Sequence, residues 1–162
     1  MTLKELEKRV KAIEDLEEIK KLHHTYIFML SNKQYEDMVD CFAENATEQI
    51  TTPEVHRGKK EIGKHLTEVI AKRGAPKGGQ ILIQPVITVE GNTAKGYWVM
   101  YRIFYDFGTP GGPSLRWTQG RYDCEYIKER GKWKFSSMKY VVLFPEQTEL
   151  WPKITNSTYI KV

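Results

Sequence analysis

The chain has 162 residues, a length typical of one domain with a substantial hydrophobic core. Its 25 basic and 21 acidic residues give a net charge of +4 and are spread along the chain without a long block of like charges. This distribution argues against nucleic acid as a partner. The first residues alternate charged with apolar side chains, and no segment resembles a signal peptide or a membrane span. We therefore expect a cytoplasmic protein that binds neither nucleic acid nor membrane.

The chain opens with helical periodicity. Apolar side chains recur every three or four residues over 3–30, which predicts one long amphipathic helix with a continuous apolar stripe. The stripe consists of Leu6, Val10, Ile13, Leu16, Ile19, Leu22, Tyr26 and Leu30. Ser31 and Asn32 can end this helix, a short second helix is predicted over 35–42, and Asn45 marks a turn.

The rest of the chain changes from helical to strand-like patterning. Residues 46–51 predict a short strand, Gly58 a break and 59–73 a third helix, followed by a Gly- and Pro-rich loop over 74–79. Four further strands are predicted at 80–89, 93–106, 115–128 and 132–144, with hairpin turns at Gly91-Asn92 and Arg130-Gly131 and a longer loop over 108–113. Helices followed by an antiparallel meander predict an α+β fold with the helices on one face of the sheet.

The strand over 93–106 is apolar in both of its alternation sets. One face is therefore expected to meet the helices and a pocket, and the other to meet another subunit. We expect a homo-oligomer, a trimer or alternatively a dimer. Its interface is predicted to contain Tyr97, Val99, Tyr101, Ile103, Leu115 and Trp117.

Short segments in order along the chain resemble the SnoaL-like family of the nuclear-transport-factor-2-like superfamily, in the branch of scytalone dehydratase and bile-acid dehydratases. The segments are DLEEIKKL with Tyr26 (15–26), FAENA (42–46), RGKKEI (57–62), PVITVEGNTA (85–94), GRYDCEY (120–126) and GKWKF (131–135). The resemblance implies a cone-shaped, curved antiparallel sheet packed against three N-terminal helices, a cystatin-like fold. It also implies a single domain over 1–162, with a core of about 10–145 and a C-terminal tail over 146–162.

The resemblance further implies a pocket for a small hydrophobic or aromatic substrate. Dehydratases and isomerases of this group use a tyrosine of the first helix beside an Asp-His pair, and the tyrosine matches Tyr26. The aspartate position is Ser31, the histidine position is Gln80, and the arginine of bile-acid dehydratases falls on Val142. The family's acid–base pair is thus missing. Ser31 is expected to contact substrate and Gln80 to orient it, because an amide donates and accepts hydrogen bonds but takes up no proton.

Other candidate residues follow from position and chemistry. Tyr26 belongs to the apolar stripe, so its neutral hydroxyl is expected to stabilise a developing oxyanion, with pure core packing as the alternative. His23, one turn earlier on the same face, is a candidate base or else a non-catalytic histidine. Glu48 or Asp123 can supply a carboxylate base if its side chain points inward. The resemblance implies that the pocket is lined by residues at sheet positions that often line the cavity in relatives, with core packing as the alternative: Trp98, Met100, Tyr122 and Tyr140.

Metal ligation is not expected. His56 and His65 flank the third helix nine residues apart and are expected to face different directions. Cys41 and Cys124 are isolated, and no metal-ligand spacing occurs. We therefore expect no metal and no cofactor. Trp151 and Tyr159 in the tail are expected to cover the pocket or a neighbouring subunit, or else to be exposed.

These expectations converge on a small-molecule lyase or isomerase, dehydratase-like, that acts on a hydroxy- or keto-bearing ring compound in an apolar aromatic pocket. A non-catalytic binding protein for the same ligands is the alternative, because the Asp-His pair is absent. A purely structural oligomerising domain is the third.

Overall fold

The computed structural model describes residues 1–50, 52–73, 78–106 and 114–150. The first helix, α1 (Leu3–Ser31), begins with a capping box in which Thr2 and Glu5 exchange side-chain-to-backbone hydrogen bonds of 2.7 and 3.2 Å. Its C-cap residue is Asn32, whose side-chain amide donates to the Phe28 carbonyl. The predicted bounds of this helix are confirmed to within one residue.

The apolar stripe of α1 is buried only in its C-terminal part. Ile19 and Tyr26 are fully buried, whereas Leu6, Val10 and Ile13 are 42%, 45% and 62% exposed. The predicted apolar stripe therefore packs on the sheet only in the second half of the helix. Periodicity shows which side of a helix is apolar, but the length of helix that the sheet covers depends on the rest of the fold.

The segment after α1 is more irregular than predicted. It contains α2 (Tyr35–Met38), a 3-10 turn (Val39–Cys41), β1 (Phe42–Gln49), β2 (His56–Arg57), α3 (Gly58–Lys64), a π-helical stretch (His65–Ile70) and a second 3-10 turn (Ala71–Arg73). The predicted turn at Asn45 is wrong, because this residue lies inside β1 beside a register shift. β2 is only two residues long, too short to leave a periodic signal.

The predicted meander of four strands is confirmed. β3 (Gly78–Glu90), β4 (Thr93–Asp106), β5 (Ser114–Glu129) and β6 (Lys132–Leu150) pair antiparallel in chain order. β1 joins this meander by pairing parallel with β6, so the curved six-stranded sheet is mixed, in the order β2-β1-β6-β5-β4-β3. This long-range parallel pair was not predicted.

The core lies between the helices and one face of the sheet, called here the inner face. Positive φ angles at Arg130 and Gly131 fit the tight turn predicted between β5 and β6. Inner-face residues that are fully buried with Ile19 and Ile62 of the helices include Trp98, Met100, Tyr122 and Phe135. The fold is therefore α+β with helices on one face, as predicted.

Some predictions fall outside the described residues. These are the loop over 74–77, the loop over 108–113, and the roles of Trp151 and Tyr159 in the tail. β6 continues to Leu150, beyond the predicted end at 144. Within the described ranges, no helix is both long and apolar enough to cross a membrane.

Candidate functional site

Tyr26 lies on the inner face, where α1 directs its side chain onto the sheet. The side chain is fully buried, and its ring contacts those of Phe42 and Phe135. Its hydroxyl has no hydrogen-bond partner within the described part of the protein. Burial raises the pKa of this hydroxyl well above its ordinary value of 10, and Tyr122 and Glu48 add to the rise. Tyr26 is therefore a neutral donor near pH 7.

Two more tyrosine hydroxyls lie on the inner face. Tyr122 of β5 and Tyr140 of β6 are register partners, with ring centroids 5.0 Å apart. Neither hydroxyl has a hydrogen-bond partner of good geometry among the described residues, although the nearby Arg102 cation favours the ionised form of Tyr122. The Tyr140 ring lies over Gly120, where a Cβ atom would be 2.1 Å from the Tyr140 Cζ, so a side chain at Gly120 would displace this ring. Burial raises the pKa of both tyrosines, and both are neutral donors near pH 7.

His23 is fully buried one turn before Tyr26. Its Nδ1 is 3.1 Å from the Tyr126 hydroxyl, which accepts a hydrogen bond from Trp98 Nε1. Because that hydroxyl retains a proton to donate, it can donate to Nδ1, which leaves the proton of His23 on Nε2. Burial lowers the pKa of His23 well below 6.5, so the imidazole is neutral and a weak base. Its ring packs against Trp98 and Tyr122 at centroid distances of 4.6 and 5.1 Å.

The predicted pocket walls share one face of the sheet. Trp98 and Met100 of β4 are fully buried beside Tyr122 and Gly120 of β5. Together with Tyr140 they form a continuous aromatic surface under α1. Complete burial of Trp98 and Met100 fits core packing as well as a pocket wall, so both alternatives stay open for these two residues.

Ser31 and Gln80, at the positions of the family's missing pair, are not equivalent. Ser31 is exposed as the last residue of α1, whereas Gln80 is half-buried on β3, and its Oε1 has no partner among the described residues. Gln80 is in register with Arg102 of β4, a residue that sequence reasoning missed. The Arg102 guanidinium lies over the Tyr140 ring, with its Cζ 4.9 Å from the centroid.

A carboxylate–imidazole pair lies on the inner side of β1. Glu48 is fully buried, and its two oxygens are 2.8 and 3.1 Å from Nδ1 of His65, which is 3% exposed. Burial raises the pKa of Glu48 to about 8. Of the two carboxylates named as candidate bases, Glu48 points inward, while Asp123 forms an ion pair with Arg121 on the other face. His65 was not predicted as a functional residue.

His56 stacks on His65, with ring centroids 4.0 Å apart. The expectation that these two histidines face different directions is therefore wrong, because β2 folds back beside β1 and brings His56 to the first turn after α3. Ligand atoms of Glu48, His56 and His65 all lie within 4.8 Å of one another. This spacing is compact enough for a metal ion after small shifts, so metal independence remains a prediction that needs a direct test.

Two open grooves lie away from this cluster. One, of about 400 Å³, runs along the first half of α1 beside Lys128. The other, of about 580 Å³, is lined mainly by residues of the opposite face, including Val86, Lys95 and Tyr97. Neither groove contains Tyr26, and a pocket between α1 and the sheet stays a prediction based on the unpartnered hydroxyls.

Two of the residues that sequence reasoning missed had a visible signal. Arg102 follows Trp98 and Met100 at every second position of the strand, so its side chain is expected on the same face as theirs. A charged residue among such apolar positions indicates a cation that points inward. His65 follows Ile62 by three residues, which places it near the buried side of its helix. The partner of each residue could not be predicted, because both partners come from distant parts of the chain.

This arrangement, helices over a curved mixed sheet with polar groups buried between them, defines the nuclear-transport-factor-2-like class of α+β proteins. The SnoaL-like domain profile matches residues 11–139, and the chain belongs to the SnoaL-like domain family. A curated-protein comparison gives no significant match.

Solved structures share this fold at low identity. An NTF2-like protein with a cystatin-like fold from Novosphingobium aromaticivorans is 20% identical, with a TM-score of 0.71 over 88% of this chain and 90% of that one. A putative scytalone dehydratase from the same species is 19% identical, with a TM-score of 0.67 over 87% and 90%. A hexachlorocyclohexane dehydrochlorinase from Novosphingobium barchaimii is 13% identical, with a TM-score of 0.73 over 87% and 94%. At these identities the likeness shows the fold alone.

Proposed function

We propose that this protein is a lyase or isomerase that removes a proton next to a carbonyl group of a hydroxy- or keto-bearing ring compound. The observation that carries the proposal is the set of buried hydroxyls of Tyr26, Tyr122 and Tyr140 on one face, which have no hydrogen-bond partner of good geometry among the described residues. A buried polar group without a partner costs about 1–3 kcal/mol, so a ligand oxygen that accepts from these hydroxyls stabilises the site. Dehydratase and dehydrochlorinase names among the structural neighbours are consistent with this chemistry.

The proton acceptor in this proposal is the Glu48–His65 pair. A pKa of about 8 for the carboxyl keeps both its protonated and its ionised form populated near neutral pH, which suits general acid–base catalysis. His23 is the alternative base, but its lowered pKa and its contact with Tyr126 make it weaker. We assign His23 the role of holding the aromatic wall and Gln80 that of orienting the ligand.

The proposed reaction begins with proton abstraction. The pair takes a proton from the carbon next to the carbonyl, the C–H electrons form a C=C bond, and the carbonyl oxygen becomes an oxyanion that accepts hydrogen bonds from Tyr26 and Tyr122. Return of the oxyanion electrons then expels a β-hydroxyl, which takes the proton back from the pair and leaves as water. Return of the proton to another carbon gives isomerisation instead.

Turnover provides the test. The protein is incubated with a panel of cyclic β-hydroxyketones, water loss is followed by the absorbance of the conjugated product, and exchange of the α-proton is followed by NMR in D2O. We expect turnover that Tyr26→Phe lowers about a hundredfold, as for loss of one oxyanion donor. The matched control is Tyr97→Phe, which removes a half-exposed hydroxyl of the opposite face and should leave turnover unchanged.

The same assay distinguishes the alternatives. Saturable binding without exchange or turnover would favour the non-catalytic binding protein, and absence of binding would favour the structural domain. Dialysis against EDTA should not change turnover. Loss of turnover in EDTA and its recovery with one divalent ion would instead identify Glu48, His56 and His65 as metal ligands.

A further inference from the structure

Arg102 carries a charge that no group among the described side chains neutralises. Its Nε is inaccessible to solvent and has no hydrogen-bond partner there, and none of the ion pairs formed by those side chains includes it. Arginine stays protonated in proteins, so it cannot relieve this state by losing its charge. Arg102 as a whole is half-buried, and a partly desolvated cation is stabilised by an anion or by strong hydrogen-bond acceptors.

The surroundings hold the guanidinium in one orientation. It lies over the Tyr140 ring, which is itself packed over Gly120 and against Tyr122. A guanidinium over an aromatic ring is attracted to the face of that ring, and its N–H groups can still donate to a planar acceptor. In contrast, Arg121 of the opposite face has its Nη2 2.9 Å from Asp123.

Neutral polar groups adjoin this cation on the inner face. Gln80 is the register partner of Arg102 on β3, and its Oε1 is also without a partner among the described residues. The side-chain amide of Gln80 and the hydroxyls of Tyr122 and Tyr140 can donate further hydrogen bonds to an anion. This set of donors fits a carboxylate, which accepts two parallel hydrogen bonds from the edge of an arginine.

We propose that Arg102 binds a carboxylate group of the ligand, so that the substrate class is ring compounds that carry a carboxylate. The inference rests on the proposed function, because it places this carboxylate beside the same tyrosine hydroxyls. In this arrangement the ring of the ligand lies against Trp98 and Tyr122, the two side chains that pack on His23. Arg102 acts as a binding residue and takes no part in proton transfer.

The test uses two probes that differ only in charge, 2-naphthoate and 2-naphthamide. Ligand-observed NMR titration of the whole protein measures the dissociation constant of each, without any need for turnover. We expect naphthoate to bind about tenfold more tightly or better, the difference typical of a charge-assisted hydrogen bond. Arg102→Gln should abolish this preference and leave naphthamide binding unchanged, and Arg121→Gln, the matched control, should retain the preference.

A second measurement needs no variant. The Nε–H signal of Arg102 in 15N-labelled protein should shift with naphthoate and not with naphthamide. Equal affinities, no binding of either probe, or a preference that persists in Arg102→Gln would overturn the proposal. Tyr26→Phe should retain the preference, so failure of the proposed catalysis is distinguishable from failure of carboxylate binding.

Discussion

Burial controls the protonation state of individual residues on the inner face. The tyrosines there have raised pKa values and remain donors, while His23 has a lowered pKa and remains neutral. Glu48 is the informative case, because burial brings its pKa to about 8 while its carboxylate contacts Nδ1 of His65 at 2.8 Å. The charge state of this pair is therefore sensitive to pH in the range where enzymes work.

The free energy of unfolding should depend on pH because the pKa of Glu48 is raised in the folded protein. The folded protein keeps the carboxyl proton up to about pH 8, whereas the unfolded chain loses it near 4.5. The stabilisation is therefore complete below pH 4.5 and is lost as the pH rises through 8, at about 1.4 kcal/mol per pKa unit. We expect the free energy of unfolding, measured in urea between pH 5 and 8.5, to fall more steeply for the wild type than for Glu48→Gln. Parallel profiles would show that Glu48 is ionised in the folded protein.

At the scale of elements, one buried carboxylate connects α1 to the β5–β6 hairpin. Asp15 is 4% exposed and accepts hydrogen bonds of 2.6 Å from Lys128 and 3.0 Å from Trp133. It is the first buried residue of the helix, so these bonds mark where α1 begins to lie on the sheet. Since the same helix carries Tyr26 and His23, its position sets the geometry of the candidate site.

Removal of this connection should destabilise the fold. Asp15→Ala leaves the buried Trp133 N–H without an acceptor and Lys128 with only Glu18, at 3.2 Å. We expect a loss of about 2–4 kcal/mol in the free energy of unfolding, from hydrogen bonds to a charged group. The matched control is Glu17→Ala, which removes an exposed ion pair with Lys20 and should cost less than about 1 kcal/mol. Equal losses in the two variants would contradict the role of Asp15.

At the scale of the whole molecule, the opposite face of the sheet is apolar and partly exposed. Ile81, Val86 and Tyr97 are 47%, 64% and 46% exposed, and a groove of about 320 Å³ is lined by Tyr101, Ile103, Leu115 and Trp117. A soluble monomer rarely exposes such a patch. This face matches the interface predicted from the alternation of β4, and the oligomer itself remains a prediction.

Light scattering after gel filtration measures the molar mass of the assembly in solution. At micromolar concentration we expect a mass of about three times that of the 18.9 kDa chain, or twice for the alternative dimer. Trp117→Glu places a charge in the groove and should give the monomer mass, because a desolvated unpaired charge is costly. Phe28→Glu, at a 62% exposed position of α1, is the control and should remain assembled. A wild-type mass near 18.9 kDa would contradict the prediction.

Local patterns of the sequence determined the elements of this protein. The spacing of apolar residues gave the first helix, and alternation with Gly-containing turns predicted the four strands of the meander and their antiparallel pairing. Helical spacing placed Tyr26 on the side of α1 that faces the sheet, whereas Trp98, Tyr122 and Tyr140 were assigned to the pocket by resemblance to the family. The elements and the inward side of α1 depend on neighbours a few residues apart, which is why periodicity could predict them.

Tertiary structure alone decided which distant groups meet. Glu48 lies on β1, which pairs parallel with β6, and His65 follows α3, which packs on β1. β2 pairs with β1 and so brings His56 onto the ring of His65. Arg102 lies over Tyr140 because β4 and β6 flank β5. The raised pKa of Glu48 depends on burial by the assembled layers of the fold. No spacing rule contains that information, since desolvation is a property of the assembled core.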